Sequence, residues 1–207
     1  MANTDFLHSL QVRKNNLPSS TVSRRHTTNR VMKTLVLLTL AIATFSLAAP
    51  RLEAAPTVVY LVRHAEKASQ PVADPPLTAA GRTRALALAA RMAQAHPVAV
   101  IHTQFLRTRQ TAQPTVTSLH IPAILIARAV DPVPNAQAVV AKIRQQFSGQ
   151  TTLVVGHSDT VPAIIQRLGV SHPPTISESQ FNRLFKVTTT GRWPWSRTTM
   201  VETTCGP

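Results

Sequence analysis

Short apolar runs alternate with longer segments in which apolar residues recur at helical spacing, and this alternation predicts an α/β fold. Strands are predicted at residues 57–62, 98–102, 123–127 and 151–155. Helices are predicted to begin after Thr78, within residues 103–112, after Asn135 and at about Val161. Strand, helix and strand in this order are typical of right-handed parallel units. We therefore expect a three-layer α/β/α sandwich with a mostly parallel central sheet.

Two further strands are predicted near the end of the chain, at residues 181–187 and 197–203, joined by a turn at residues 191–195. We expect them to extend the sheet at its edge, where antiparallel pairing is common in mixed sheets. Between the third strand and its helix, Asp131, Pro132 and Pro134 predict a loop.

The N-terminal segment has the pattern of a leader and signal peptide over residues 1–55. A polar, basic stretch leads into the uncharged run 34–49, which is too short for the roughly 20 residues of a spanning helix. Small residues at 46–48 suit cleavage near Ala48 to Ala55, and the long leader suggests Met32 as the true start. Residues 56–207 would then form a periplasmic or secreted domain that meets the membrane only transiently through its signal. An uncleaved signal would instead anchor it.

Charge and cysteine content narrow the functional classes. From residue 56 onward the chain has 15 Lys and Arg and 6 Asp and Glu, a net charge of 15 − 6 = +9. This surplus attracts anions, but no basic run alternates with aromatic residues, so we expect no nucleic-acid partner. Cys205 is the only cysteine, so no internal disulfide stabilises the fold.

Cationic and imidazole side chains follow several of the predicted strands. Arg63 and His64 come directly after the first strand, and His157 comes directly after the fourth. Open α/β sheets bind ligands at the carboxyl ends of their strands. A neutral imidazole beside an arginine suits an anionic substrate, because arginine binds phosphate oxygens and histidine can act as a nucleophile.

Arg107 and Arg109 lie in the first turn of the second predicted helix, where free backbone N–H groups also favour an anion. A step of two residues turns about 200° around a helix axis. At most one of these two arginines therefore points toward the sheet edge.

The chain contains three short motifs in order: LVRHAEK at 61–67, LRTRQTA at 106–112 and GHS at 156–158. Together they resemble the motifs of the histidine phosphatase superfamily, also called phosphoglycerate mutase-like. The resemblance spans about residues 57–201 and is greatest to its small exported bacterial members. It implies that His64 becomes phosphohistidine and that Arg63, Arg107 and His157 form the phosphate pocket. It implies no metal and no cofactor. Ala65 stands where the family usually has glycine.

The general acid that protonates the leaving oxygen is less well defined. Asp131 lies roughly where family members often place this acid, so it is the predicted residue, with Asp159 as the alternative. Glu66 and Ser158 lie within the first and third motifs and are predicted to contact substrate, although Glu66 would alternatively orient an arginine. Some family members act on phosphorylated histidine, a good leaving group, and need no strong acid.

Several alternative functions stay open at this stage. GHSDT at residues 156–160 imitates a nucleophile elbow, in which Ser158 would attack and His172 would serve as the base. A mutase of the same superfamily would need a lid that shields phosphohistidine from water, and residues 113–153 contain no long insertion. A non-catalytic anion-binding module is the third alternative. The expected substrate is a small phosphorylated molecule, either an envelope sugar phosphate or another organic phosphate, with a phosphohistidine or phosphoprotein substrate as the alternative.

Overall fold

The computed structural model describes residues 54–191 and 196–206. The predicted signal peptide, its alternative start and residues 192–195 of the predicted turn lie outside these ranges. Six strands occur in the described residues: β1 (Thr57–Arg63), β2 (Val100–His102), β3 (Ala123–Leu125), β4 (Thr151–Gly156), β5 (Arg183–Thr190) and β6 (Arg197–Thr204). Four helices occur there: α1 (Ala79–Ala95), α2 (Leu106–Leu119), α3 (Pro132–Gln146) and α4 (Thr160–Arg167). None of these helices is long and apolar enough to span a bilayer.

The strands form one mixed sheet with the order β3-β2-β4-β1-β5-β6. The four strands from β3 to β1 are parallel, whereas β5 is antiparallel to both β1 and β6. The predicted α/β fold with a mostly parallel sheet is confirmed, and the last two strands extend one edge. The parallel strands end at the same side of the sheet, so the residues that follow β1, β2, β3 and β4 converge there.

Alternating side chains on the strands bury two separate apolar layers. Val59 and Leu61 pack with α3 and α4 on one face, whereas Val62 packs with α1 and α2 on the other. This is the period of two that a strand buried on both faces requires. The chain therefore forms the three layers that the sequence predicts.

The junction between β3 and α3 differs from the prediction. Helix α3 begins at Pro132, because the side chain of Asp131 accepts a hydrogen bond from the Val133 N–H (2.9 Å) and caps the helix. Asn135 lies inside the helix, and its Nδ2 donates to the carbonyl oxygens of residues 126 and 127 (3.1 and 3.0 Å). Strand β3 ends at Leu125, since these carbonyl groups bond to a side chain rather than to a neighbouring strand.

Helix α1 begins where Thr78 predicts. The Thr78 hydroxyl accepts from the Gly81 N–H (3.1 Å), and the Thr78 N–H donates to the Glu66 carbonyl oxygen (2.9 Å). The helix start is thereby joined to the first motif. A Cβ atom on Gly81 would lie 2.2 Å from the Glu66 carbonyl oxygen, so only glycine permits this approach.

Candidate active site

His64 lies directly after β1 and is 3% exposed. Its Nδ1 atom is 2.8 Å from the Ala65 carbonyl oxygen. A carbonyl only accepts hydrogen bonds, so Nδ1 carries the proton and the lone pair of the neutral ring lies on Nε2. Burial lowers the pKa of His64 to about 4, and the charges of Arg63 and Arg107 act in the same direction. At neutral pH His64 therefore presents an uncharged Nε2, as a nucleophile requires.

His157 follows β4 and lies beside His64. The two rings have a centroid separation of 5.4 Å and an interplanar angle of 67°. The pKa of His157 is lowered to about 3, mainly by burial and in smaller part by nearby His64 and Arg107. The sequence prediction that two histidines distant along the chain share one edge of the sheet agrees with this geometry.

A chain of hydroxyl groups orients the His157 ring. Its Nε2 lies 2.9 Å from the Thr103 Oγ1, which lies 2.9 Å from the Thr108 Oγ1. The Thr108 hydroxyl contacts two carbonyl oxygens and therefore donates, so the Thr103 hydroxyl donates to Thr108 and accepts from the His157 N–H. The His157 backbone N–H donates to the Thr160 Oγ1 (2.9 Å), which holds the main chain. The ring is thus oriented before any ligand binds.

The second motif also supports the backbone beside His64. The Thr111 hydroxyl on α2 donates to the Arg107 carbonyl oxygen (2.7 Å) and accepts from the Ala65 N–H (3.0 Å). One side chain therefore connects the segment carrying His64 to the helix carrying Arg107. This contact gives a physical reason for the first two motifs to occur together.

Arg63 and Arg107 both lie close enough to His64 for their charges to lower its pKa. Arg63 is 4% exposed and donates to the Ser177 carbonyl oxygen (2.8 Å) and to Glu178 (2.5 Å). The Arg107 side chain is 14% exposed and lies 3.7 Å from an oxygen of Asp74. Arg109 is exposed to solvent, so only one of the two helix arginines points inward, as the helical geometry requires.

Two aromatic rings form the walls of the site. Phe105 lies 4.2 Å from the Arg107 guanidinium and packs edge-on against His157 with a centroid separation of 5.4 Å. Phe181 lies 4.3 Å from the Arg63 guanidinium and 6.2 Å from the His64 ring. Each ring contacts one arginine through a cation–π interaction and lies beside one histidine, edge-on for Phe105 and tilted for Phe181.

A third arginine, Arg128, lies near the same site and forms a cationic cluster with Arg63 and Arg107. It lies outside the sequence motifs. It follows β3 and forms an ion pair with Asp159, two residues after His157. The Nε atoms of Arg63, Arg107 and Arg128 are all buried without a hydrogen-bond partner. A buried donor without an acceptor costs about 1–3 kcal/mol. The charges of these arginines act on the two neutral imidazoles, and such a group of cations beside neutral imidazoles is suited to bind an anion.

The carboxylates near the site are already paired with cations or hydroxyl groups. Glu178 accepts from the Ser158 hydroxyl (2.6 Å) and from Arg63, and these contacts lower its pKa. The side-chain hydrogen bonds from Arg84, at 2.7 to 3.0 Å, lower the pKa of Glu66. Glu66 therefore orients an arginine, as one of its two predicted roles proposes, although that arginine is Arg84 of α1.

Asp131 lies at the exposed start of α3, where its side chain caps the helix. That contact assigns it a structural role, and its role as the acid stays a prediction. Asp159, the alternative, pairs with Arg128 and accepts from the Thr160 N–H (2.7 Å). In the described part of the chain, no group of three or more His, Cys, Asp or Glu side chains is arranged to hold a metal ion.

The alternative of a nucleophile elbow requires a histidine base at Ser158, and within residues 54–191 and 196–206 no histidine forms a hydrogen bond with the Ser158 hydroxyl. Ser158 donates its hydroxyl hydrogen to Glu178, and the exposed His172 lies 3.0 Å from the Ser171 hydroxyl. A carboxylate accepts this hydrogen bond, but the triad requires an imidazole between the two groups. The geometry of Ser158 therefore suits a binding residue at the mouth of the site.

Residues 59–130 match the model of the histidine phosphatase superfamily (branch 1). The family resemblance drawn from the three motifs is confirmed. The match covers the first two motifs and ends just after Arg128. No curated protein sequence matches this chain.

Solved structures of the histidine phosphatase superfamily share this fold. SixA from Nakamurella multipartitia, described as a candidate phosphohistidine phosphatase, is 25% identical, covers 73% of this chain and 97% of its own, and has a TM-score of 0.55. Mycobacterial glucosyl-3-phosphoglycerate phosphatase Rv2419c is 13% identical, with 70% and 96% covered and a TM-score of 0.55. A candidate α-ribazole-5'-P phosphatase from Escherichia coli is 14% identical, with 71% and 96% covered and a TM-score of 0.54. Each of these structures covers at least 70% of this chain, so the structural similarity extends beyond the residues 59–130 that match the family model.

Local sequence patterns indicate some of the remaining site residues and not others. Arg128 directly follows a predicted strand, which is the same signal that marks His64 and His157. Phe105 lies next to the second motif. Glu178 lies in a segment without periodicity, and Phe181 lies at the start of a predicted edge strand. Only the folded chain brings these two residues to Arg63 and His64.

Proposed function

We propose that the protein is a phosphomonoester hydrolase that acts through a phosphohistidine intermediate on His64, without a metal ion. One observation carries the proposal: the unprotonated Nε2 of a buried His64 lies beside His157 and close to arginines whose buried Nε–H groups have no acceptor. A phosphoryl group supplies both the electrophile and the acceptors that this arrangement lacks.

In the first step the lone pair of His64 Nε2 forms a bond to phosphorus, and the bond from phosphorus to the leaving oxygen breaks. Arg63 and Arg107 stabilise the charge on the equatorial oxygens, and the Phe105 and Phe181 rings keep both guanidinium groups in place. In the second step a water oxygen bonds to phosphorus, the N–P bond breaks and inorganic phosphate leaves. His64 returns to its starting form.

His157 gains a proton more readily once an anion is bound. Its pKa is low in the free protein because of burial and nearby positive charge. A phosphoryl dianion beside it offsets that charge and favours the imidazolium form. The protonated ring then donates to a phosphoryl oxygen while its Nε2–H keeps the hydrogen bond to Thr103.

The leaving oxygen requires a proton unless it is a good leaving group. Asp131 is the proposed acid, and Asp131→Asn tests it cleanly because asparagine also caps helices. Unchanged turnover with an alkyl phosphate would remove Asp131 from the mechanism. Asp159, Glu66 and Glu178 have lowered pKa values, so each is an ionised carboxylate at neutral pH in the free protein.

This ionised set of carboxylates favours a second candidate, a phosphohistidine or phosphoprotein phosphatase, because an imidazole leaves without strong acid assistance. The similarity to SixA, described as a candidate phosphohistidine phosphatase, supports the same reading. A phosphorylated envelope sugar and another organic phosphate are the proposed small-molecule substrates. Export to the periplasm or the medium is part of the proposal, and N-terminal sequencing of the mature protein tests it.

The proposal is tested by trapping the intermediate on His64. Wild-type protein is mixed with a radiolabelled aryl phosphate and quenched in alkali, and we expect acid-labile, alkali-stable label on His64 together with steady release of phosphate. We expect His64→Gln to lose both the label and at least 1,000-fold in turnover. His172→Gln, at an exposed histidine, is the matched control and should keep both. Acid-stable label on Ser158, or full turnover by His64→Gln, would contradict the proposal.

A further inference from the structure

Arg128 extends the cationic cluster beyond what one phosphoryl group requires. Strands β1, β4, β2 and β3 lie side by side in that order. Arg63 ends β1, Arg107 lies at the start of the helix after β2, and Arg128 follows β3. Neighbouring strands are about 4.8 Å apart, so three spacings place the ends of this row of strands about 14 Å apart at backbone level. A single phosphoryl group spans only part of that length.

The backbone of Arg128 is held against the segment that carries the phosphate pocket. The Gln104 Nε2 donates to the Arg128 carbonyl oxygen (2.8 Å), and the Arg128 N–H donates to the Gln104 Oε1 (2.9 Å). This reciprocal pair joins the loop after β3 to the loop after β2. The Arg128 side chain therefore starts from a defined position at the edge of the site.

The Arg128 guanidinium has binding capacity that the protein does not use. One Nη atom pairs with Asp159, Nε is buried without a partner, and the side chain is 23% exposed. Arg63 and Arg107 share this pattern of a carboxylate on one side and an unpartnered Nε. The charge of Arg128 also lowers the pKa of both His157 and Arg107, as expected for a cation close to the pocket.

We propose that Arg128 determines specificity by binding a second anionic group on the substrate, beside the phosphoryl group held at Arg63, Arg107 and His157. This proposal rests on the proposed phosphatase function. The substrate class is a phosphomonoester whose leaving group carries a carboxylate or a second phosphate. In the free protein Asp159 pairs with Arg128 and also caps α4. The second anion would accept hydrogen bonds from the remaining N–H groups of the Arg128 guanidinium, and Asp159 would keep its place at the helix cap.

The test compares two substrates that differ only in the second anion, glucose 6-phosphate and glucose 1,6-bisphosphate. We expect wild-type protein to prefer the bisphosphate in kcat/KM by about tenfold or more, mainly through a lower KM, because a charge-assisted hydrogen bond between a guanidinium and an anion is stronger than a neutral one. Arg128→Gln should reduce that ratio about tenfold. Arg109→Gln removes the same charge from the exposed face of α2 and should leave the ratio unchanged.

Titration calorimetry with the same two sugar phosphates provides a readout that does not depend on turnover. Failure of the proposed function would be seen separately, as absence of label on His64 with the aryl phosphate. Even then, a bisphosphate preference in binding that Arg128→Gln abolishes would support the second anion site. Equal affinity of wild-type protein for the two compounds, or an unchanged preference in Arg128→Gln, would overturn the role of Arg128. Equal losses for both compounds in Arg128→Gln would instead place Arg128 in the phosphoryl pocket and also overturn it.

Discussion

The chemistry open to His64 and His157 depends on which ring nitrogen of each carries the proton. The Ala65 carbonyl oxygen holds the His64 proton on Nδ1, and the Thr103 hydroxyl accepts from Nε2 of His157. Both hydrogen bonds come from groups that are buried or in the backbone, so the ring orientations do not depend on a ligand. Such preorganisation lowers the cost of reaching the transition state, because the groups need not reorient during the reaction.

Glu178 lies at the mouth of the pocket and competes with any anion that binds there. Its carboxylate contacts Arg63 and Ser158, although 74% of its side chain is exposed. An incoming phosphate must displace it from Arg63 and is repelled by its charge. The free protein therefore holds a carboxylate of its own against one arginine of the pocket.

We expect Glu178→Gln to lower the inhibition constant of inorganic phosphate about fivefold, since a like charge at about 4 Å in water opposes binding by ~1 kcal/mol. Product inhibition at constant ionic strength measures this. Glu202→Gln is the matched control. This substitution removes the same charge, but Glu202 pairs with Arg183 on the β5–β6 edge. A higher inhibition constant in Glu178→Gln would show that Glu178 helps Arg63 to hold phosphate.

At the scale of elements, the site depends on how α1 and α2 meet the loops that precede them. Asp74, in the loop before α1, accepts from the Leu106 N–H at the start of α2 (2.9 Å). Phe105 occupies the cap position of α2 without a side-chain cap, so this distant carboxylate replaces the local one. The loop after the first motif is thereby joined to the helix that carries Arg107.

The close approach of α1 to Glu66 provides a test at this scale. We expect Gly81→Ala to lower the free energy of unfolding by about 1–3 kcal/mol, because the new methyl group would overlap the Glu66 carbonyl oxygen. This loss outweighs the gain of up to ~1 kcal/mol in helix propensity. Urea unfolding measures the change, and phosphatase activity should fall with it as the first motif shifts.

Ala90→Gly, at an exposed position of the same helix, is the control for helix propensity. It should cost about 1 kcal/mol of stability and leave activity unchanged, since it does not touch the motif. A Gly81→Ala protein that is more stable than wild type would show that the helix start moves freely and that the contact with Glu66 does not constrain it.

At the scale of the whole molecule, two buried neutral histidines make folding depend on pH. The pKa values of His64 and His157 fall from 6.5 to about 4 and about 3 because burial disfavours their charged forms. The unfolded chain therefore binds more protons than the folded protein below about pH 6.5. Stability is fully present above that pH and is lost as the pH falls toward the folded-state values.

We expect the free energy of unfolding to fall by roughly 2–3 kcal/mol per pH unit between pH 6 and pH 5, at about 1.4 kcal/mol per unit for each fully titrating histidine. Denaturant unfolding across pH 7 to 5 measures this slope. His64→Asn should reduce the slope by about half, whereas His172→Gln at the surface should leave it unchanged. A flat profile in wild-type protein would mean that the buried imidazoles are already protonated or accessible to water.

The amino-acid sequence alone determined the order of elements, the parallel core of the sheet and the positions of Arg63, His64 and His157 at strand ends. These features follow from local periodicity and from the rule that parallel strands end at one side of a sheet. Helical geometry allowed only one inward arginine in the first turn of α2, and the family resemblance identified it as Arg107.

Tertiary structure alone decided which charged groups meet. Arg128 pairs with Asp159, Glu178 reaches Arg63, Glu66 turns to Arg84, and Asp131 caps a helix that begins earlier than its pattern predicts. Three of these contacts join residues from different elements or loops, and the fourth competes with a nearby asparagine that would serve equally well as a cap. The spacing of residues along the chain does not predict these contacts, because each depends on how the layers of the sandwich bring distant side chains within hydrogen-bonding distance.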